Sequence, residues 1–418
     1  MTGHSRSSTS YSSNDDAKNS KRHRAFHPLL PVFALGCIQQ MAQFATRPLV
    51  SLRASELGAS NVQVGFIAGG LNLVQLVLAL TAGRVSDEHS PKTAAILGSI
   101  ALFIGLTGLP FATHWSALLL LQTLTGVGQL FGQVGYQSQV TLGATGARRE
   151  DYVGLLFFIV AAGQSIGPLV GGWISDTWGL RAAFFAGSAL SAVALFLAFL
   201  MPARSRNSAA AVAAGAARVQ TAGGMWSTFA LLREPMVSSA IYIGVAALFA
   251  MDVLTTYFPL YGKQIGLSTT TIGLALSLRN GSTTVIRPFM GRLTRLFGRP
   301  ALLVASLVVG GLGIALFGVG RHVAAIVLIA LLAGFGLGLA QPLTMVMVSE
   351  ATDEDRRGQA LALRLMGNRL GQSASPVLFG FLSTWLGLAP VFWISGAVLA
   401  VSSRFSLTMR RRAADPSS

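Results

Sequence analysis

The chain has 418 residues, of which 52% are hydrophobic and 11% charged, with a mean hydropathy of +0.59. Soluble domains carry about a quarter charged residues, so a water-soluble fold of this length is excluded. A formal charge of +16 would suit nucleic acid if it lay on one surface, but the basic residues fall elsewhere.

Residues 1–27 are polar and Ser-rich and read as a disordered cytoplasmic tail. From Pro28 onwards, apolar runs of about 20 residues recur almost to the C-terminus, long enough for helical spans at about 1.5 Å per residue. They predict twelve transmembrane helices, at 28–52, 61–82, 93–112, 116–139, 152–175, 182–202, 236–260, 269–290, 300–319, 323–348, 358–383 and 389–409. The alternation of a membrane β-barrel is absent. The single cysteine, Cys37, lies in the first run and leaves no intrachain disulfide. The longest interior polar segment, 203–235, contains an Ala-rich run and reads as a flexible cytoplasmic linker. It separates a six-helix half at 28–202 from a second at 236–409, and 410–418 forms a short cytoplasmic tail. The expected fold is therefore all-α and integral to the membrane, with two pseudo-symmetric halves.

Of the 31 Lys and Arg residues, 21 fall on the side that holds both termini and only Arg53, Arg181, Lys263 and Arg321 on the other. This positive-inside bias predicts cytoplasmic termini and removes any need for nucleic acid. The Ala- and Gly-rich composition suits a bacterial inner membrane.

A shift of 208 residues superposes the halves without gaps. Asn72 falls on Asn280, Gly83-Arg84 on Gly291-Arg292, and Gly163-Gln164-Ser165 on Gly371-Gln372-Ser373, followed by Pro168 on Pro376 and Gly172 on Gly380. Such a parallel repeat predicts a rocking carrier built from a duplicated unit.

Charges at bilayer depth are functional candidates by default. The predicted helices hold Arg47, Arg279, Arg287, Arg364, Arg369 and Arg404 against one deep acid, Asp252. Arg404 is placed to snorkel, and Arg287, beside Pro288, reads as structural. Arg279 and Arg369 lie about 15 Å from the nearer helix end, at the depth of carrier sites, and are the leading substrate candidates. Arg47 could bind or gate, and Arg364 is open between a structural and a substrate-binding role. Similar depths suggest that Asp252 pairs with Arg279, either as a structural ion pair or as a proton-responsive partner. Arginine stays charged, so it could hold an anion while the carboxylate carries the proton. Asn280, Gln43, Gln133, Gln341 and Gln372 add hydrogen-bonding capacity, and Gln129, Gln133, Tyr136 and Gln137 share a helix face expected to line the cavity. Trp115, Trp178, Trp385 and Tyr261 read as interface anchors. All six histidines fall in tails or loops, which disfavours an intramembrane enzyme, a metal site or any cofactor.

On these residues the chain from 28 to 409 resembles the major facilitator superfamily. Gly83 and Asp87 match the start of that family's loop after helix 2, and Gly291, Gly298 and Arg299 keep parts of it in the second half. The resemblance implies a cytoplasmic charge latch there. Gly163, Gly167, Pro168, Gly171 and Gly172 resemble the helix 5 motif of its proton-coupled exporters. Gln122 stands where such exporters carry an arginine in helix 4, so no proton-relay role transfers to it. The resulting expectation is a monomeric carrier that exports a small organic anion or amphiphilic acid in exchange for protons by alternating access. A broad drug/proton antiporter and proton-coupled uptake of an anionic nutrient are the alternatives.

Overall fold

The computed structural model describes residues 29–143, 147–203, 230–353 and 356–414. The expected tail at 1–27 and most of the linker lie outside them. Twelve long helices are described: α1 Leu30–Glu56, α2 Asn61–Glu88, α3 Pro91–Gly108, α4 Trp115–Gly143, α5 Ala147–Trp178 and α6 Leu180–Leu200, then α7 Pro235–Gln264, α8 Thr269–Ile286, α9 Arg299–Phe317, α10 Val323–Glu350, α11 Arg357–Leu386 and α12 Leu388–Ala414. Most run beyond their apolar stretch, because the polar residues at the water ends are themselves good helix formers. Thus α2 continues to Glu88, and α12 passes the expected end at 409 to reach Ala414. α8 is shorter than expected. Pro288 follows it, and the chain passes through a 3-10 turn, Arg287–Phe289, into a separate short helix, Met290–Phe297.

The repeat extends to the punctuation between helices. Ser60 caps α2 by accepting from the Gln63 amide, and Ser268 caps α8 by accepting from the Thr271 amide, 208 residues on. The turns before these caps use Gly58 (φ 74°) and Gly266 (φ 82°), and those after α5 and α11 use Gly179 (φ 89°) and Gly387 (φ 83°). A side chain at φ > 0 would clash with the backbone, so these turns are closed by glycine.

Among the described residues, eight helices are long and apolar enough to cross a membrane by themselves. α1, α8, α11 and α12 are not among them. The first three carry Arg47, Arg279, Arg364 and Arg369.

The two halves pack through α5 against α8, α2 against α11 and α1 against α7. At the end bearing the α1–α2 and α7–α8 turns, one apolar core spans both halves, from Leu49, Val64 and Ile67 to Tyr257, Phe258 and Ile272. Towards the end bearing the chain termini the core divides. One cluster forms around Val32, Phe33 and Tyr136 in the first half, and another around Leu231, Val237 and Ile241 in the second. The molecule is thus closed at one end and parted at the other.

Candidate functional site: a charged centre between two matched seams

The closed end is built from two seams related by the 208-residue shift. Pro168 has no N–H, so it cannot bond the carbonyl four residues back, that of Gln164. Asn280 of α8 supplies the missing donor, with its Nδ2 2.9 Å from that oxygen. In the other seam Pro376 frees the Gln372 carbonyl, and Asn72 of α2 donates to it at 3.0 Å. Close backbone approach makes room for both bonds. A Cβ at Gly273 would collide with the Pro168 carbonyl, and one at Gly65 with that of Pro376. Gly172 meets the Thr269 carbonyl, and Gly380 that of Asn61.

The helix 5 motif therefore has two faces. Pro168 and Gly172 face α8 across the seam, whereas Gly163, Gly167 and Gly171 lie against the backbone of α1 at Cys37, Met41 and Ala45. The second half keeps only the seam face. Its inner stripe reads Gly371, Ser375 and Phe379, and the Phe379 ring rests against Phe249 of α7 with centroids 5.1 Å apart.

Further bonds hold the closed end. Tyr257 donates to the carbonyls of Asn61 and Pro376, and the Ser277 hydroxyl accepts from the Leu169 amide at 2.9 Å. Asp176, at the end of α5, accepts from the amides of Thr269 and Thr270 at 3.0 and 2.6 Å, where the helix dipole of α8 favours a negative charge. Outside this seal a pocket of about 660 Å³ is lined by Glu56, Asn61, Asp176, Lys263 and Thr269, among others.

Where the seams end, the charges begin. Arg47 is seventeen residues past the start of α1 (47 − 30) and Asp252 seventeen past the start of α7 (252 − 235), so parallel packing of the two helices sets them at one depth. Arg47 Nη2 is 2.7 Å from Asp252 Oδ1, and both side chains are nearly buried. The acid's bonded partner is thus Arg47 of the opposite half and not Arg279, as sequence depth suggested. α8 turns Arg279 towards Asn280, whose Oδ1 accepts from Nη2 at 2.6 Å. Arg279 is 3% exposed, and its Nε and Nη1 are buried without a hydrogen-bond partner. The second Asp252 oxygen is likewise unpartnered. Arg369 donates to Gln75 Oε1 at 2.6 Å across the α2–α11 seam, with Gln372 Oε1 at 3.5 Å. Both Arg279 and Arg369 lie within electrostatic reach of Asp252.

Other expected site residues lie elsewhere or are engaged. Arg364 forms a second cluster inside the C-terminal half, where Nη2 donates to the Gln341 carbonyl and side chain and to Thr344. Gln341 in turn donates to the Gly244 carbonyl at 2.7 Å, so both ends of its amide are used. Gln43 is buried with its oxygen unpartnered, and Gln133 is half-buried on α4. Tyr136 does not line a cavity: it is fully buried and accepts from Gln40 at 3.1 Å. Tyr261 is not an interface anchor either, being buried and bonded to the Gly318 carbonyl.

At the parted end Gly83 and Gly291 have no atom within 4 Å of where a Cβ would stand. Asp87 is exposed. Gly298 has φ 76° at the start of α9, and Arg299 pairs with Glu350 within the second half. Among the described residues, the ion pair found at the expected latch positions thus lies within the second half. Sequence reading missed the proline-freed carbonyls and Asp176. The first were detectable, since Asn72 and Asn280 repeat together with Pro168 and Pro376, but nothing in one sequence says which helices face each other.

Two six-helix halves, closed at one end around a charged centre and parted at the other, have the architecture of a membrane carrier. A family model described as the Major Facilitator Superfamily matches residues 32–278 and 244–417, and the chain belongs to that family: it is a multi-pass membrane transporter and not an enzyme. An uncharacterized MFS-type transporter of Methanocaldococcus jannaschii is 21% identical over 348 residues, 83% of this chain and 89% of the relative. A multi-drug resistance efflux pump PmrA homolog of Lactococcus lactis is 28% identical over 358 residues, 82% and 85% of the two chains. Among solved structures, a bacterial homolog of the human lysosomal transporter Spinster, inward-facing and unoccupied, superposes with a TM-score of 0.74 at 12% identity, covering 93% of this chain and 97% of the other.

Proposed function

We propose that the protein carries a small organic anion or amphiphilic acid by alternating access, with Arg279 and Arg369 taking the anionic groups and Asp252 the proton. One observation carries this reading: Arg279 is buried beside an ion pair that joins the two halves, yet two of its guanidinium nitrogens have no partner. A buried cation left so calls for an anion, and arginine's planar fork suits a carboxylate.

The Arg47–Asp252 pair ties α1 to α7 at the closed end. An anion arriving on Arg279 sits near the Asp252 carboxylate, and like charges favour the protonated acid. Protonation releases Arg47 and removes that tie, which makes the pair a trigger for opening the closed end. Anion and proton then bind together rather than in exchange, a different sign from the sequence expectation. The basic residues at the parted end support a cytoplasmic position for it and for both termini, the inward-facing state of a carrier in a bacterial inner membrane. The helix 5 motif and the efflux relatives favour export. Where the anion carries more charge than the proton offsets, an inside-negative potential drives the complex outwards, by about 2.3 kcal/mol per net charge per 100 mV.

A second reading is a drug/proton antiporter for lipophilic cations. The names of several relatives favour it, and Asp252 would be its cation partner. The excess of buried arginine weighs against it.

Flux into proteoliposomes, with matched panels of organic acids and lipophilic cations at two pH values, decides between the readings. Acid flux that is lost in Arg279→Ala supports the anion carrier. Cation flux that Arg279→Ala leaves intact contradicts it.

A further inference from the structure

The central charges can be counted, and the count is uneven. Arg47, Arg279 and Arg369 stand within electrostatic reach of one another through Asp252, the only carboxylate that they share among the described residues. Asp252 is bonded to Arg47. The bonds that hold the other two guanidiniums come from neutral amides, Asn280 for Arg279 and Gln75 with Gln372 for Arg369. An amide orients a guanidinium but does not neutralise it, and a buried charge without a counter-ion is costly. With Asp252 ionised and bonded to Arg47, the state before any proton reaches it, three positive charges and one negative leave two positive charges uncompensated. A monoanion would leave one of them behind.

We propose that the solute held at this centre is a small dianion, with two anionic groups on one molecule, as in a short dicarboxylate or a phosphomonoester. This rests on the anion reading above and adds to it the number of charges. Arg279, with Nε and Nη1 free, takes one group as a fork. Arg369, three residues before Gln372 on α11, takes the other. Arg364 does not enter the count, because its guanidinium is turned into the cluster with Gln341 and Thr344. Nor does Arg47 while Asp252 holds it.

Calorimetric titration of the purified full chain tests the charge number with ligands matched in size. One pair is glutarate against its monomethyl ester; another is phenyl phosphate against methyl phenyl phosphate. The pH is set where every acid is ionised. The expected result is that at least one dianion binds about tenfold or more tightly than its monoanionic partner, and that the ratio falls to about one in Arg369→Gln. Equal binding within both pairs in the unmodified protein overturns the inference while leaving the anion reading intact. Binding of lipophilic cations with no response to any acid overturns both. The comparison in the unmodified protein needs no variant, so misfolding of Arg369→Gln cannot mask the result.

Discussion

Along the α5–α8 seam Asn280 donates to the carbonyl that Pro168 frees, and along the α2–α11 seam Asn72 does the same for Pro376. The asparagine bonds, the close glycines Gly65 and Gly172, and the serine caps there each have a counterpart 208 residues away. The centre that these seams enclose has no such symmetry. Arg279 corresponds to Leu71 and Arg369 to Ala161, while Asp252 pairs with an arginine that the second half does not repeat. Duplication has kept what lets two halves close on each other with equal force. Substitution on one side only has supplied the charge. On the reading proposed above, the seams belong to the machinery of the fold and the asymmetric residues to the choice of solute.

Breaking the asymmetric centre should cost most. Asp252→Ala strands Arg47 in a nearly buried position and is expected to lower stability by about 3 kcal/mol or more, whereas Arg47→Met combined with Asp252→Leu recovers most of the loss. Thermal unfolding in detergent reads both.

The seams should respond next, and alike. Gly172→Val and Gly380→Val each push a side chain into a backbone carbonyl of the opposite half, at an expected cost of about 1–3 kcal/mol, and each should spring the closed end. Nitroxides at Ser55 and Gln264, on a Cys37→Ser background, report the opening as a longer inter-label distance. Similar shifts in the two variants sustain the symmetry, and a shift in only one breaks it.

Smaller still are the asparagine bonds. Asn72→Leu and Asn280→Leu should each cost about 0.6 kcal/mol. Their effects on closure should match, yet only Asn280→Leu should weaken acid binding, because Asn280 also holds Arg279. The exposed Arg299–Glu350 pair at the parted end should matter least, with Arg299→Ala below about 1 kcal/mol.

The twelve helices, the duplication and the buried arginines were legible in the sequence because membrane burial imposes a length on apolar runs and makes each internal charge conspicuous. Partners were harder to read. Depth alone matched Asp252 with Arg279, since both are about equally far from the same membrane face. Selecting Arg47 instead required knowing that α1 and α7 pack in parallel. Tyr136 and Tyr261 misled for a related reason: a helix face or helix end in one sequence does not reveal whether another helix covers it. The Gln164 and Gln372 carbonyls carry no side-chain signal, and only the proline four residues later marks them as free.

The central claim is that Arg279 is the anchor for an anionic solute. Ligand-induced thermal stabilisation of the purified protein, with parallel panels of organic acids and lipophilic cations, tests it most directly when Arg279→Ala is run alongside. Stabilisation by acids that disappears in the variant is the predicted result. Stabilisation confined to cations, and unchanged in the variant, would contradict the claim.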